Sequence, residues 1–332
     1  MTYAAGNAQH IGARTSQQDS FGFTSLADAE FVRHGGLLAV LADGMGGMAH
    51  GDAASRAAVH AFLTAYRAKT ADEPPAAALA RALDDANAAV CELAEQLGAR
   101  GETGTTLIGA VLLGDTLEWV SVGDSGLFLF HDEAFVRLNE FHTHARDLDA
   151  QVAAGLVAAE VAAADPQRDA LTSFVGMGAL AHVDRSLRPL PLDPGDSILL
   201  ASDGLFKVIS AGEMTQAMHG NLQQRCDGLV EAVTAKRAPQ QDNVTVLMLG
   251  TVAEVPAPLA LPKTEVMAAL PPPRRSRATW AIAVALLAAL AVAGYALRDR
   301  WISPAPVVTK APTVPTSEKA TEKATTGKDA AK

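Results

Sequence analysis

Five short apolar runs, each bounded by turn residues, constrain the fold of this 332-residue chain more than any other feature. They are GLLAVLADG (36–44), TLEWVSVGD (116–124), GLFLFHD (126–132), DSILLASDG (196–204) and NVTVLMLGT (243–251). Runs of this length, rich in branched and aromatic residues, read as strands. The second and third are one residue apart, which suits an antiparallel hairpin. Apolar residues recur at helical spacing through 53–69 and 76–97; 147–164 reads as a third helix or helix pair and 210–219 as a fourth. Strands thus come in groups instead of alternating strictly with helices. That pattern favours antiparallel sheets with helices packed outside, an α+β sandwich, and an apolar content of 49% supplies the core. No internal repeat is evident.

The composition shifts after residue 253. Residues 254–332 hold 11 Lys and Arg against 6 Asp and Glu, which leaves 16 against 31 in residues 1–253. So acidic a domain repels nucleic acid, whose binders are basic. Residues 254–278 are Pro-rich and end in the basic cluster RRSR, the composition of a linker. TWAIAVALLAALAVAGYAL is uncharged from 279 and reaches about 28 Å as a helix, close to the bilayer core. Trp280, Tyr295 and Trp301 stand near its ends, with arginines on both flanks. A single transmembrane helix over 279–298 is therefore expected, followed by a disordered tail over 299–332. Three arginines before the span against two after it, and an N-terminus without a signal-peptide pattern, orient the large domain to the cytoplasm and the short tail outside. The two cysteines, Cys91 and Cys226, show no metal or redox spacing and read as small buried hydrophobes.

Five aspartates share one local grammar. Asp43, Asp124 and Asp203 follow apolar runs; Asp19 and Asp242 precede them, and Gly44, Gly46, Gly47, Gly123, Ser125 and Gly204 surround the set. An Asp-Gly pair after a strand is ordinarily a turn. Turns alone do not call for five strand-terminal aspartates in one domain. Converging carboxylates repel one another unless a cation compensates them, and oxygen-only ligation suits Mg²⁺ or Mn²⁺. A pair of such ions can hold and deprotonate a water and aim it at phosphorus. Arg14, five residues before Asp19, has the planar donor fork that matches phosphate oxygens. GMGG at 44–47 is no P-loop, since no Lys-Ser or Lys-Thr follows.

In order, RTSQQD, LADGMGG, GTTL, VGDSG, ASDGL and QDNVTV resemble the signature blocks of the metal-dependent protein Ser/Thr phosphatases, the PPM or type 2C family in its bacterial form. The resemblance spans roughly residues 5–250. It implies a central β-sandwich of two antiparallel sheets flanked by helices (αββα), with a binuclear Mn²⁺ or Mg²⁺ centre at one end. Carried over by motif, Asp43 bridges the two ions, Gly44 offers its carbonyl, and Asp203 and Asp242 bind from the other side. Asp19, beside Gln18, orients the water. Asp124 matches the aspartate that holds a third, weaker ion, and Arg14 the phosphate-binding arginine. Thr105 and Thr106 support the metal aspartates. The implied reaction is direct attack of activated water on phosphoserine or phosphothreonine, with no covalent phosphoenzyme.

Three positions depart from the family pattern. Gly126 stands where an arginine usually follows VGDS, so a local salt bridge is expected to be missing. EFHTH (140–144) replaces a DHS-like block at the start of the mobile flap, and 153–165 reads as the flap helix. Met45 stands where animal members often carry a histidine, leaving water, His142 or His144 as donors to the leaving group. The expectation is a membrane-tethered phosphatase acting on Ser/Thr kinases and their phosphorylated substrates, with no nucleic acid as partner and membrane lipid contacted through the C-terminal helix. A non-catalytic phosphoprotein-binding module on the same fold, and a metal-dependent hydrolase of nucleotides or nucleic acid, which the acidic charge disfavours for polymers, are the rival readings.

Overall fold

The computed structural model describes residues 2–45 and 50–252. In chain order the elements are β1 (Thr2–His10), β2 (Asp19–Phe23), α1 (Ala29–Gly35), β3 (Leu37–Asp43), α2 (Gly51–Arg67), α3 (Pro75–Gln96), β4 (Leu107–Leu113), β5 (Thr116–Val122), β6 (Gly126–His131), β7 (Ala134–Arg137), α4 (His144–Ala153), α5 (Ala159–Ala163), β8 (Asp184–Arg185), β9 (Leu190–Pro191), β10 (Ser197–Ala201), α6 (Asp203–Phe206), α7 (Ala211–Gln216), α8 (Leu222–Ala235) and β11 (Val244–Val252). The predicted linker, transmembrane helix and tail, 254–332, lie outside the described residues, as do Gly46 and Gly47. Among the described residues no helix is long and apolar enough to cross a membrane.

Two sheets form, one ordered β1-β11-β10-β6-β7 and the other β2-β3-β4-β5-β8, with β9 also pairing β5. Every pairing is antiparallel. Leu37, Ala39 and Leu41 of β3 meet Ile198, Leu200, Leu247 and Leu249 of the other sheet in one buried cluster. The alternate residues Leu38, Val40 and Ala42 pack beneath α2 and α3. Leu199, Ala201, Val246 and Met248 likewise face Cys226, Leu229 and Val233 of α8. A strand covered on both faces has no solvent side, which is why β3, β10 and β11 read as unbroken apolar runs. The result is the expected αββα layering. Phe62 of α2 is fully buried, and its ring fills the space where a side chain on Gly109 of β4 would stand, 2.4 Å from that Cβ position. Truncating such a ring costs roughly 3–5 kcal/mol.

One reading is resolved by the structure and several elements are additional to those read from the sequence. The segment 147–164, expected as a helix or helix pair, is a pair, α4 and α5, with Gly155 at φ +70 between them, a conformation that ends a helix. The strands β1, β4, β7, β8 and β9 and the helices α1, α6 and α8 were not among the elements read from the sequence. α8 shows only three fully buried side chains and is announced by a capping box, Asn221 with Gln224.

The candidate metal centre

Antiparallel register gathers the aspartates. Asp19 opens β2 and Asp43 closes β3, and the two are direct cross-strand partners. Leu107 opens β4 opposite Val122 at the end of β5, just before Gly123 and Asp124. Gly126 opens β6 opposite Ala201 at the end of β10, before Ser202 and Asp203, and Ala201 pairs Val246 near the start of β11, after Asp242. Alternating strand direction therefore brings strand starts and strand ends to the same edge of the sandwich. Asp203 and Asp242 line one cleft of about 600 Å³ together with Gly204, Lys207 and Gln241.

Each carboxylate is held by its neighbours. Asp19 is 4% exposed; its Oδ2 accepts from the hydroxyls of Ser202 (2.9 Å) and Thr245 (2.7 Å). Its Oδ1 is buried and has no hydrogen-bond partner. The Asp43 backbone is clamped: its N–H donates to Thr106 Oγ1 (3.0 Å), and its carbonyl accepts from Thr105 Oγ1 (2.8 Å) and the Thr106 N–H (2.9 Å). Thr105 in turn pairs with Val175, in a segment tied to α3 by Asn87, whose amide meets the Gly176 N–H (2.8 Å) and the Gly178 carbonyl (2.6 Å). Gly44 is forced to be glycine, because a Cβ there would lie 2.3 Å from the Gly51 carbonyl oxygen. Arg14 Nη2 lies 2.7 Å from Asp242 Oδ2 at the exposed rim.

Mutual repulsion is written into the acidities. Burial, then the charges of Asp19, Asp203 and Asp124, pushes Asp43 well above the usual carboxylate range. Burial raises Asp19 from 3.8 to about 6 against the opposing hydroxyl bonds. Asp124 rises to about 6 through burial and Asp203, with Lys207 opposing. A cluster of oxygen donors that resists ionising together, with a buried carboxylate oxygen lacking a partner, fits a compensating hard divalent cation. Elsewhere, His131, Asp193 and Asp196 also come close enough to hold an ion. They sit at the opposite end of β6 and β10, and the His131 ring nitrogens are already engaged by Asp196 (2.8 Å) and Asp132 (3.4 Å), an ion-paired arrangement.

Two departures noted in the sequence acquire structural meanings. His142 is neither a solvated loop residue nor a proton donor. It is 1% exposed, its Nδ1 accepts from the Gly123 N–H (3.2 Å), and burial and His182 lower its pKa to about 4. It is a neutral buried ring that fixes the backbone before Asp124. Gly126 has no room for an arginine: a Cβ there would stand 2.4 Å from the Phe128 ring. The cation beside Asp124 comes instead from Lys207, whose Nζ is 2.6 Å from Asp203 Oδ2 and 3.5 Å from Asp124 Oδ2. Burial works against that ammonium, yet the two carboxylates hold its pKa above the ordinary lysine value. Lys207, Ser202 and Thr245 were not singled out from the sequence. The only signal for Lys207 was its spacing of four from Asp203.

With this geometry in view, comparison with known proteins is decisive. Residues 7–238 match the family description Protein phosphatase 2C. The chain belongs to the protein phosphatase 2C family. It is 28% identical over 217 residues to the serine/threonine phosphatase stp of Listeria innocua, covering 64% of this chain and 83% of that protein. The protein phosphatase PhpP of Streptococcus pneumoniae is 29% identical over 221 residues, 65% of this chain and 87% of that one. The catalytic domain of the phosphatase PstP, solved in complex with two manganese ions, superposes with a TM-score of 0.59 at 23% identity, covering 76% of this chain and 99% of that one. This last likeness is one of fold. Membership of a family of metal-dependent phosphatases agrees with the acidic oxygen cluster at the sandwich edge.

Proposed function

We propose that the chain hydrolyses phosphoserine and phosphothreonine in proteins, using two Mn²⁺ or Mg²⁺ ions that Asp43, Gly44, Asp203 and Asp242 would hold. The observation that carries this reading is the gathering of Asp19, Asp43, Asp124 and Asp203 at one edge, with Asp19 Oδ1 buried and unpartnered. When bound, the ions supply an activated water and positive charge to meet the phosphoryl oxygens. The protein side chains do the rest. Arg14, exposed beside Asp242, presents its guanidinium fork to the incoming phosphate. Asp19 offers Oδ1 as the acceptor for a proton, its other oxygen locked by two hydroxyls. Thr105 and Thr106 fix the Asp43 backbone against the pull of charge. The neutral His142 takes no part in proton donation, and solvent at the open cleft is left to protonate the departing serine or threonine.

The substrates fit phosphorylated Ser/Thr kinases and the proteins they modify. Residues 279–298 would anchor the chain in the inner membrane with residues 1–253 in the cytoplasm, raising its effective concentration against membrane-bound targets. A non-catalytic binding module has less support, because a pure binder has no use for a self-repelling acidic cluster. The test is phosphate release from a phosphothreonine peptide by the full-length chain, purified from the membrane fraction, with Mn²⁺, with EDTA and as Asp203→Asn. Metal-dependent turnover lost in the variant is expected. A folded, Mn²⁺-loaded chain without turnover would overturn the catalytic reading, and recovery in the soluble fraction would overturn the anchor.

A further inference from the structure

We infer that the Lys207 ammonium occupies the position between Asp124 and Asp203 that a third divalent ion would take, so that this chain carries two exchangeable ions and one built-in cation. The inference rests on the reading of the strand-end aspartates as metal ligands.

Three observations converge. Asp124 is 8% exposed, and the Lys207 ammonium lies across from it. Lys207 follows the single turn of α6, so its stem rises from the same turn that carries Asp203 and reaches back across the cleft rim. Its Nζ lies 2.6 Å from Asp203 Oδ2 and 3.5 Å from Asp124 Oδ2, bridging both. A cation from position 126 of the neighbouring strand is shut out, because Gly126 is closed in by Phe128 and by Phe206, 3.0 Å from its Cβ position.

A tethered monovalent cation has two advantages over a free divalent one. Its local concentration does not fall when metal is scarce. It also repels any second cation: at a few ångströms the Coulomb energy between an ammonium and a divalent ion remains unfavourable even in water. Asp203 can then give one oxygen to the ammonium and keep the other for the ion on the Asp43 side.

The experiment counts metal instead of turnover. Full-length wild type and Lys207→Met are dialysed to equilibrium against rising free Mn²⁺, and bound manganese per chain is measured by elemental analysis. Wild type is expected to saturate at two ions. Lys207→Met, which keeps the stem and loses the charge, is expected to take up a third, bound at least about tenfold more tightly than any extra ion in wild type. A thermal melt in EDTA gives a second readout: Lys207→Met melts below wild type, because Asp124 and Asp203 are left without compensation, and Mn²⁺ raises its melting temperature by more. Should Lys207→Met fail to fold, Lys207→Gln serves, since it can still donate to Asp203. Equal manganese counts and affinities in wild type and variant would overturn the inference, as would a wild type that binds three. Binding of two ions without turnover would sink the phosphatase reading and leave this one standing.

Discussion

Replacing Asp19 with asparagine should stabilise the metal-free protein while crippling it. The carboxyl is lifted from 3.8 to about 6, chiefly by burial. A folded-state pKa above the unfolded value means the native chain binds the proton more tightly, so stability is lost as pH rises between the two values. Above about pH 6 the loss is complete and constant, about 3 kcal/mol. Asparagine carries no charge at any pH. Its oxygen still accepts from Ser202 and Thr245, and its amide replaces the unpartnered Oδ1 beside Asp43. In EDTA at neutral pH, Asp19→Asn should therefore melt about 6–12 °C above wild type, at roughly 2–4 °C per kcal/mol for a domain this size. Near about pH 4 the difference should shrink towards zero. Adding Mn²⁺ should reverse the order, because wild type gains binding free energy that the variant holds less well. Scanning fluorimetry at the two pH values, with and without metal, reads all of this. A variant no more stable than wild type in EDTA at neutral pH would refute the argument, as would a gain that persists undiminished in acid.

Two further outcomes follow from the same site. Thr106→Val should cost about 1–3 kcal/mol in urea unfolding, because it strips the partner from the half-buried Asp43 N–H (3.0 Å) and from the buried Ser125 Oγ (2.7 Å); unchanged stability would show that the clamp is dispensable. His142→Gln should flatten the acid side of the stability profile. The buried ring has its pKa lowered to about 4, so the unfolded chain binds the proton first and wild type loses stability as pH falls below about 6.5; a variant with the same acid limb would contradict that assignment.

Much of the sandwich was legible because its central strands are covered on both faces. All five apolar runs are strands, and the two long helices lie within a few residues of their expected positions. The edge strand β1 escaped notice because TYAAGNAQH has little apolar pattern; it is a strand because β11 offers it a full nine-residue ladder. α8 escaped because Cys226, Leu229 and Val233 form too narrow a stripe in a polar segment, with Gly228 in its middle. Gly155 divides the flap helix because a left-handed residue ends one run of hydrogen bonds before the next begins. The two flap histidines looked alike in sequence, yet His142 is fully buried and His144 only partly, since burial depends on what packs above a residue and not on its neighbours in the chain.

The aspartates were readable as a set, because each alone passes for a turn but five at strand ends in one domain do not. An α+β sandwich with helices outside likewise lay in the grouping of the apolar runs, and the αββα layering in the resemblance to the phosphatase family. What only the tertiary structure decided is how the charges are shared. Asp19 and Asp43 repel because register makes them partners across β2 and β3. Lys207 reaches Asp124, 83 residues away, because α6 turns its stem back over the edge of the sheet. Electrostatic coupling falls off with distance through space, and distance through space is set by strand pairing, which no local pattern contains.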